Sequence, residues 1–500
     1  MTTTAERATP PAGLPGSSGA DRHAGRWWAL VVLALAQLMV VLDATIVNIA
    51  LPTAQADIGF SDSGRQWVVT GYALAFGSLL LLGGRLSDFF GRKRMFIIGL
   101  VGFALASALG GMAQNLELLI TARALQGVFG AALAPAALSL LTITFTDPAE
   151  RGKAFGIFGA ISGAGGGIGL LLGGVLTEYV SWRWCLYVNL VIAAIAVFGA
   201  MVKLRDEPIA AHGKLDLAGT VTAVSGLVAL VYGLGNAESH GWSDTWTLGP
   251  IIAGVIVLTA FVLIELRVPN PLLPLRVVLD RNRGGSYASI AIAGAGMFGI
   301  FLFLTYYLTS ILAFTPVETG LAFLPMLGGV MLTATTAGSF LTPKIGPRPL
   351  VPLGALIAAG GMLLLTRLDL DSTYVTGVLP GLIIVGLGLG LVFAPTQNAA
   401  VSGVEHRDAG VASAMINTVQ QIGGSIGTAL LSSFAATAAS NHLAGKTPTP
   451  QLAAEAALQS YHTVFWWSAG FFVIAAIAAA ALFRTGPLAV DPDAQPVVAH

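Results

Sequence analysis

The sequence predicts an all-α integral membrane protein with fourteen transmembrane helices. They form two six-helix halves related by pseudo-symmetry, with two further helices inserted between them. Three observations carry this expectation. Of the 500 residues, 55% are hydrophobic and only 10% are charged, whereas soluble domains carry about 25% charged residues. Apolar runs of about 18 residues or more, the length that crosses a bilayer, recur along the chain. Lysine and arginine fall almost entirely in every second loop.

The expected spans lie near 27–50, 67–86, 95–113, 117–144, 154–177, 184–202, 217–235, 247–264, 284–313, 319–341, 350–366, 375–396, 409–434 and 463–483. Loop charge justifies them in order, because cytoplasmic loops carry an excess of Lys and Arg. With the N-terminus inside, Arg7, Arg22 and Arg26 precede the first span. Arg85, Arg92, Lys93 and Arg94 follow the second, Arg151 and Lys153 the fourth, and Lys203, Arg205 and Lys214 the sixth. Arg267, Arg276, Arg281 and Arg283 follow the eighth, Lys344 and Arg348 the tenth, Arg407 the twelfth and Arg484 the fourteenth. Only Arg65, Arg183, Arg367 and Lys446 fall in the intervening loops, and Arg123 lies inside the fourth span. One helix too many or too few would invert every later loop. The chain is therefore expected to be multi-pass in the plasma membrane, with both termini cytoplasmic.

The expected organisation is a disordered cytoplasmic tail over 1–26, rich in Pro, Gly, Ser and Thr. An N-terminal six-helix half follows over 27–202, then a linker with two extra helices over 203–283. The C-terminal half covers 284–483, and a second cytoplasmic tail 484–500. The first apolar run starts late and is long enough to span, which reads against a cleaved signal peptide. An internal repeat supports the halves. Gly130, Ala134 and Pro135 recur at the same spacing as Gly390, Ala394 and Pro395. Gly152, Gly165, Gly166 and Gly169 recur as Gly410, Gly423, Gly424 and Gly427. This pairs spans four and five with twelve and thirteen and leaves seven and eight as the insertion. Repeats of this kind place a substrate site near the bilayer midplane, where the halves meet.

Charges within spans mark function, since one costs about 2.5–3.5 kcal/mol at a helix centre. Away from helix ends there are two, Asp43 and Arg123. The expected helix ends put both about 9–11 Å below the outer surface at about 1.5 Å per residue. An acid and a base at matched depth suggest a pair or a shared cavity, with a purely structural ion pair as the plain reading. Such a carboxylate can carry a proton, and a nearby arginine can tune it. Asp43 and Asn48 lie about 140° apart around the helix, so they cannot line one cavity. Expected cavity-lining residues are Gln126, Asn417, Gln420 and Gln421, although buried amides often only bond neighbouring helices. Asn398 is a further polar position near the end of span twelve. Tyr72, Phe76, Phe298, Phe301 and Tyr306 could contact an apolar or cationic ligand. Packing and lipid contact are the ordinary roles of such rings.

After the second span the chain reads GGRLSDFFGRKRM. Gly84 and Asp88 stand one above the other, four residues apart. Gly84 is expected to admit another helix closely. Gly91 permits a tight turn, and Arg92, Lys93 and Arg94 form a cationic cluster. Together they suggest a breakable latch between the halves. In the equivalent turn, SFLTPKIGPR, Ser339, Pro343 and Gly346 stand at these positions, so the latch is asymmetric. In the fifth span Gly165, Gly169, Gly173 and Gly174 suit close helix packing.

This turn, with LDATIVNIALP, RALQGVFGA and WRWCLYVN, resembles the major facilitator superfamily. Within it the chain resembles the fourteen-helix drug:proton antiporter family of multidrug and antibiotic exporters. The resemblance covers roughly residues 27–483. It implies gating by the Gly84–Arg94 turn and proton coupling by the segments of Asp43 and Arg123. The family's antiporter signature resembles Gly-Pro-x-x-Gly-Gly. Here Leu170 stands where proline is expected, which keeps an uptake symporter of the same fold open. A transporter-like ligand receptor also stays open.

Other classes find little support. Net charge is zero, which gives no reason to expect a nucleic-acid partner. A lone cysteine, Cys185, excludes an internal disulfide and a cysteine metal cluster. The histidines show no metal spacing. A glycine pattern at Gly294, Gly296 and Gly299 fits a dinucleotide fingerprint, but it lies in a span with no strand before it. No clustered nucleophile, base or metal set suggests an enzyme. The expected partners are a small-molecule substrate, protons and the lipid bilayer. No cofactor is expected, since the proton gradient drives transport, and the working unit is a monomer.

Overall fold

The computed structural model describes residues 19–145, 148–204, 216–269, 271–404, 408–447 and 449–487. Most of the two expected tails (residues 1–18 and 488–500) lies outside the described residues, as do Arg205, Lys214 and Arg407. No strand occurs among the described residues. Thirteen described helices are long and apolar enough to cross a membrane. A further helix, Pro148–Tyr179, takes the fifth place in the order.

The helices are α1 (Gly19–Ile58), α2 (Asp62–Phe90), α3 (Arg92–Gly111), α4 (Leu116–Thr144), α5 (Pro148–Tyr179), α6 (Trp184–Lys203), α7 (Leu217–His240) and α8 (Thr245–Glu265). The second half adds α9 (Arg281–Ser310), α10 (Pro316–Thr336), α11 (Pro347–Leu365), α12 (Tyr374–Val401), α13 (Ala409–Leu443) and α14 (Pro450–Leu482). Apolar length makes them helices, because a backbone in lipid must bond to itself. Polar caps start several of them. Asn115 accepts from Leu118, Asp216 from Gly219 and Asp280 from Asn282 and Arg283. Thr315 and Glu318 close a capping box on α10.

Several expected boundaries move, among them both ends of α1 and the start of α14, which lies at Pro450 and not at 463. The helix that was expected to start at 27 begins at Gly19, eight residues inside the expected tail. It then runs past Pro52 to Ile58. Proline is tolerated in spanning helices because neighbouring groups satisfy the freed carbonyls. Asp43 therefore sits near the middle of the span Arg26–Ile58, not near its outer end.

In the first half, α1 packs on α5 and α6, α3 on α4 and α6, and α2 on α4. In the second, α9 packs on α13 and α14, α11 on α12 and α14, and α10 on α12. The second set repeats the first helix for helix. The halves meet along two seams, α5 on α10 and α2 on α13, which the same relation exchanges. The inserted α7 and α8 pack on each other, and α7 leans on α2 and α13.

The repeated glycines explain the close contacts. A Cβ at Gly169 or Gly173 would lie 3.0 Å from the carbonyl oxygen of Leu42 or Ile46 on α1. At Gly423 and Gly427 it would lie 2.0 and 2.6 Å from the carbonyls of Ala291 and Ala295 on α9. The two sets do the same work in the two halves. Gly165 meets Val41, and Gly174 crosses between halves to the Pro316 carbonyl at 2.6 Å. Lipid supplies no hydrophobic drive between helices, so such backbone contact is a main source of cohesion.

Gly91 has φ +93° and its counterpart Gly346 φ +76°. This left-handed region favours glycine and lets each chain reverse within one residue. The close approach expected at Gly84 belongs to its neighbour. A Cβ at Gly83 would lie 1.9 Å from the Ala131 carbonyl on α4, whereas one at Gly84 would make ordinary contact with Pro135 at 3.6 Å. The reason is rotational: one residue turns the helix face by about 100°. We expect Gly83→Ala to destabilise the protein by about 1–3 kcal/mol through forced separation of α2 and α4. Gly84→Ala should stay within about 0.5 kcal/mol of wild type. Thermal unfolding of the two variants in detergent measures the difference, and equal losses would reject this register.

Candidate functional site

Asp43 on α1 is fully buried, with 0% exposure, and Arg123 on α4 is 2% exposed. Arg123 Nη1 donates to Asp43 Oδ2 at 2.6 Å. The other carboxylate oxygen, Oδ1, accepts from Gln126 Nε2 at 2.9 Å and from Asn189 Nδ2 at 2.8 Å. Both amides also donate to Ser107 Oγ on α3, at 3.1 and 3.0 Å. Ser107 Oγ donates in turn to the Leu186 carbonyl on α6 at 2.7 Å. Gln126 Oε1 accepts from Arg123 Nη1 at 3.0 Å. Every contact to Asp43 is a donor, which suits a carboxylate and leaves it no acceptor for a proton of its own.

Arg123 has a second environment. Its guanidinium carbon lies 4.4 Å from the centre of the Tyr72 ring, a cation–π arrangement. It also lines a small cavity, with room for about one water, together with Ala44, Val47 and Asn48 of α1 and Val69 and Tyr72 of α2. The opposite wall is Phe298 of α9 and Gln421 of α13. The cavity thus lies between the halves, while Asp43 points away from it into the first half. Asn48 faces the cavity, as the angular offset from Asp43 requires.

Of the four amides expected in the wall, Gln421 is there. Gln126 is instead fully buried in the Asp43 network, because it follows Arg123 by three residues and shares its inner face. Asn417 is exposed and Gln420 partly so.

At the end opposite Gly91 the halves are tied together. Tyr306 on α9 donates to Gln55 on α1. Arg65 on α2 stacks on the Tyr306 ring, 4.2 Å from its centre. Glu178 on α5 accepts from the Val317 amide of α10 at 3.1 Å. Of the turn expected to form a latch, Arg92 and Lys93 are partly exposed at the start of α3. The Asp88 side chain lies outside the described residues. Arg85 Nη2 reaches the Pro271 carbonyl, beyond α8, at 2.9 Å.

A family model described as Major Facilitator Superfamily matches residues 33–428. The chain belongs to the Major Facilitator Superfamily. It is 48% identical over 468 residues to the puromycin resistance protein of Streptomyces alboniger, covering 93% of each chain. It is 38% identical over 406 residues to a cephamycin export protein of Amycolatopsis lactamdurans, covering 81% of this chain and 84% of that one. Among solved structures, an auto-inhibited peptide transporter of the POT family superposes with a TM-score of 0.66 at 16% identity. That match covers 94% of this chain and 98% of the other, and it shows the shared fold.

Sequence reasoning missed two members of this superfamily chain's polar network, Ser107 and Asn189. Asn189 ends the WRWCLYVN stretch, whose residues now have places. Trp182 Nε1 donates to Asp57 at 2.9 Å, and Arg183 pairs with the same carboxylate. Asn189, two turns further along α6, then reaches Asp43. The signal in the sequence is weak: Ser107 and Asn189 are each a lone uncharged polar residue within an apolar span.

Removing one partner of a buried ion pair costs about 3–5 kcal/mol, because the other charge is left alone. Asp43→Asn and Arg123→Gln should each destabilise the protein by that order. The double variant should lose clearly less than the sum. A double-mutant cycle in detergent-solubilised protein reads this coupling, and additive losses would reject it.

Proposed function

We propose that this chain is a proton-coupled secondary transporter that exports hydrophobic or amphipathic small molecules of antibiotic size by alternating access. One observation carries the reading: Arg123 belongs both to the buried Asp43 network and to the wall of the cavity between the halves. A proton arriving on Asp43 removes the negative charge that holds Arg123. The guanidinium is then free to change its place in the cavity wall. Proton and substrate are thereby linked through one side chain. The names of the relatives, which include resistance to puromycin and export of cephamycin, support the exporter reading and its substrate class.

In this reading the basic loop ends face the cytoplasm, as does the Gly91 turn. Substrate enters from the cytosol or the inner leaflet. The ties at the opposite end open as the halves rock, while Gly84, Asp88, Gly91, Arg92 and Lys93 control the cytoplasmic end. A membrane potential of 100 mV contributes about 2.3 kcal/mol per elementary charge moved across. No cofactor and no catalytic step are required, and a single chain is the working unit. Leu170, which replaces the proline of the antiporter signature, favours keeping proton-coupled uptake as the second reading. Its side chain is fully buried beside the α5–α10 seam.

Cells expressing the protein should accumulate less of a panel of antibiotics and dyes than control cells. A proton uncoupler should abolish the difference, and Asp43→Asn should reduce it to the control level. Uncoupler-insensitive efflux would refute proton coupling. Accumulation inside expressing cells would favour the uptake reading, and binding without flux would favour a receptor.

A further inference from the structure

A pair of acids lies where the inserted helices end, away from the Asp43 network. Asp216 caps α7 through Oδ1, which accepts from the Gly219 amide at 2.7 Å. Glu265, the last residue of α8, is 4% exposed. Its Oε2 accepts from the Leu273 amide at 2.9 Å. The remaining oxygens, Asp216 Oδ2 and Glu265 Oε1, are both buried without a donor. They converge on one point: a Cβ at Gly219 would lie 2.4 Å from each. Two buried acceptors cannot satisfy each other, and two buried negative charges repel. One proton between them removes both difficulties, since a protonated carboxyl becomes a donor.

The pair has a mechanical attachment. Leu273 belongs to the Pro271–Pro274 stretch that links α8 to α9. Leu272 and Leu273 are buried in an apolar cluster with Leu81 of α2 and with Met415 and Ile416 of α13. Arg85 of α2 donates to the Pro271 carbonyl. The linker therefore straps the basic ends of α2 and α13, which belong to different halves. Among the described residues the charged groups facing the pair are few. Arg85 is the cation that acts on Glu265, and the linker stretch itself has no titratable side chain. The next cation along, Arg276, is bonded to Asp408 at 2.8 and 3.0 Å.

We propose that Asp216 and Glu265 form a second proton-binding site, which holds the linker across the seam between the halves and releases it when the proton leaves. Ionising both acids puts two negative charges on one point beside Gly219. The ends of α7 and α8 separate, and the Leu273 amide loses its anchor. This site rests on the fold and the local geometry, and not on the transport reading.

Two measurements test it. Ordinary Asp and Glu titrate near about 3.9 and 4.3. At about pH 6 the purified wild-type protein should still show the infrared carbonyl stretch of a protonated carboxyl that disappears in both Glu265→Gln and Asp216→Asn. Absence of a band sensitive to these substitutions would overturn the proposal. The second measurement uses a Leu272→Cys probe in a Cys185→Ser background, labelled with a polar maleimide. Its labelling rate is taken relative to the same probe with Glu265→Gln, which cancels the thiol's own pH dependence. Opening coupled to loss of one proton makes this ratio rise about tenfold per pH unit through the transition. A ratio flat with pH would show that the linker does not respond to the pair.

Discussion

A charge in the middle of an apolar helix dictates the packing around it. Asp43 has no donor on its own helix, so donors must come from elsewhere. Arg123 and Gln126 come from α4 and Asn189 from α6, with Ser107 of α3 bracing both amides. Rotating α4 by one residue would swing Arg123 away by about 100° and leave two charges buried and alone. Four helices of the first half are thus held in register by one carboxylate. The glycines of α5 bring a fifth helix against the backbone of α1, and Gly83 brings the sixth, α2, against α4.

Much of the fold was legible because it rests on one-dimensional signals. Apolar length marks the helices, loop charge counts them, and repeated glycines pair the halves. The candidate site was legible only in outline. An acid and a base inside spans stand out against an apolar background, but Ser107 and Asn189 are uncharged and do not. Gln126 was read toward the cavity because a period of 3.6 residues names a face and not the neighbour that meets it. Gly83 and Gly84 differ in which one lies against the α4 backbone, and no feature of the GG pair distinguishes them. The end of α1 lies beyond the apolar run that marks the span, because Pro52 does not stop a helix whose freed carbonyls find partners among neighbouring groups.

The two halves share a backbone plan and differ in charge. Gly91 and Gly346 take the same left-handed turn, yet the acid Asp88 precedes the first and Pro343 stands in its place before the second. Gly169 and Gly427 admit α1 and α9 alike, yet α1 carries Asp43 and the facing part of α9 carries alanines. The same asymmetry appears at the cavity. Its first-half wall holds Arg123, Tyr72 and Asn48, and its second-half wall holds Phe298 and Gln421, which are neutral.

That division bears on how such a molecule can evolve. Phe298 and Gln421 touch the cavity but take no part in the network around Asp43. Either can be replaced by a side chain of another size or polarity without leaving a buried charge alone. A lineage can therefore alter what fits the cavity by changing α9 and α13, while the ionic core of the first half is inherited intact. The second-half wall of the cavity and the ionic core thus sit on separate halves of the gene, and selection can act on one without rebuilding the other.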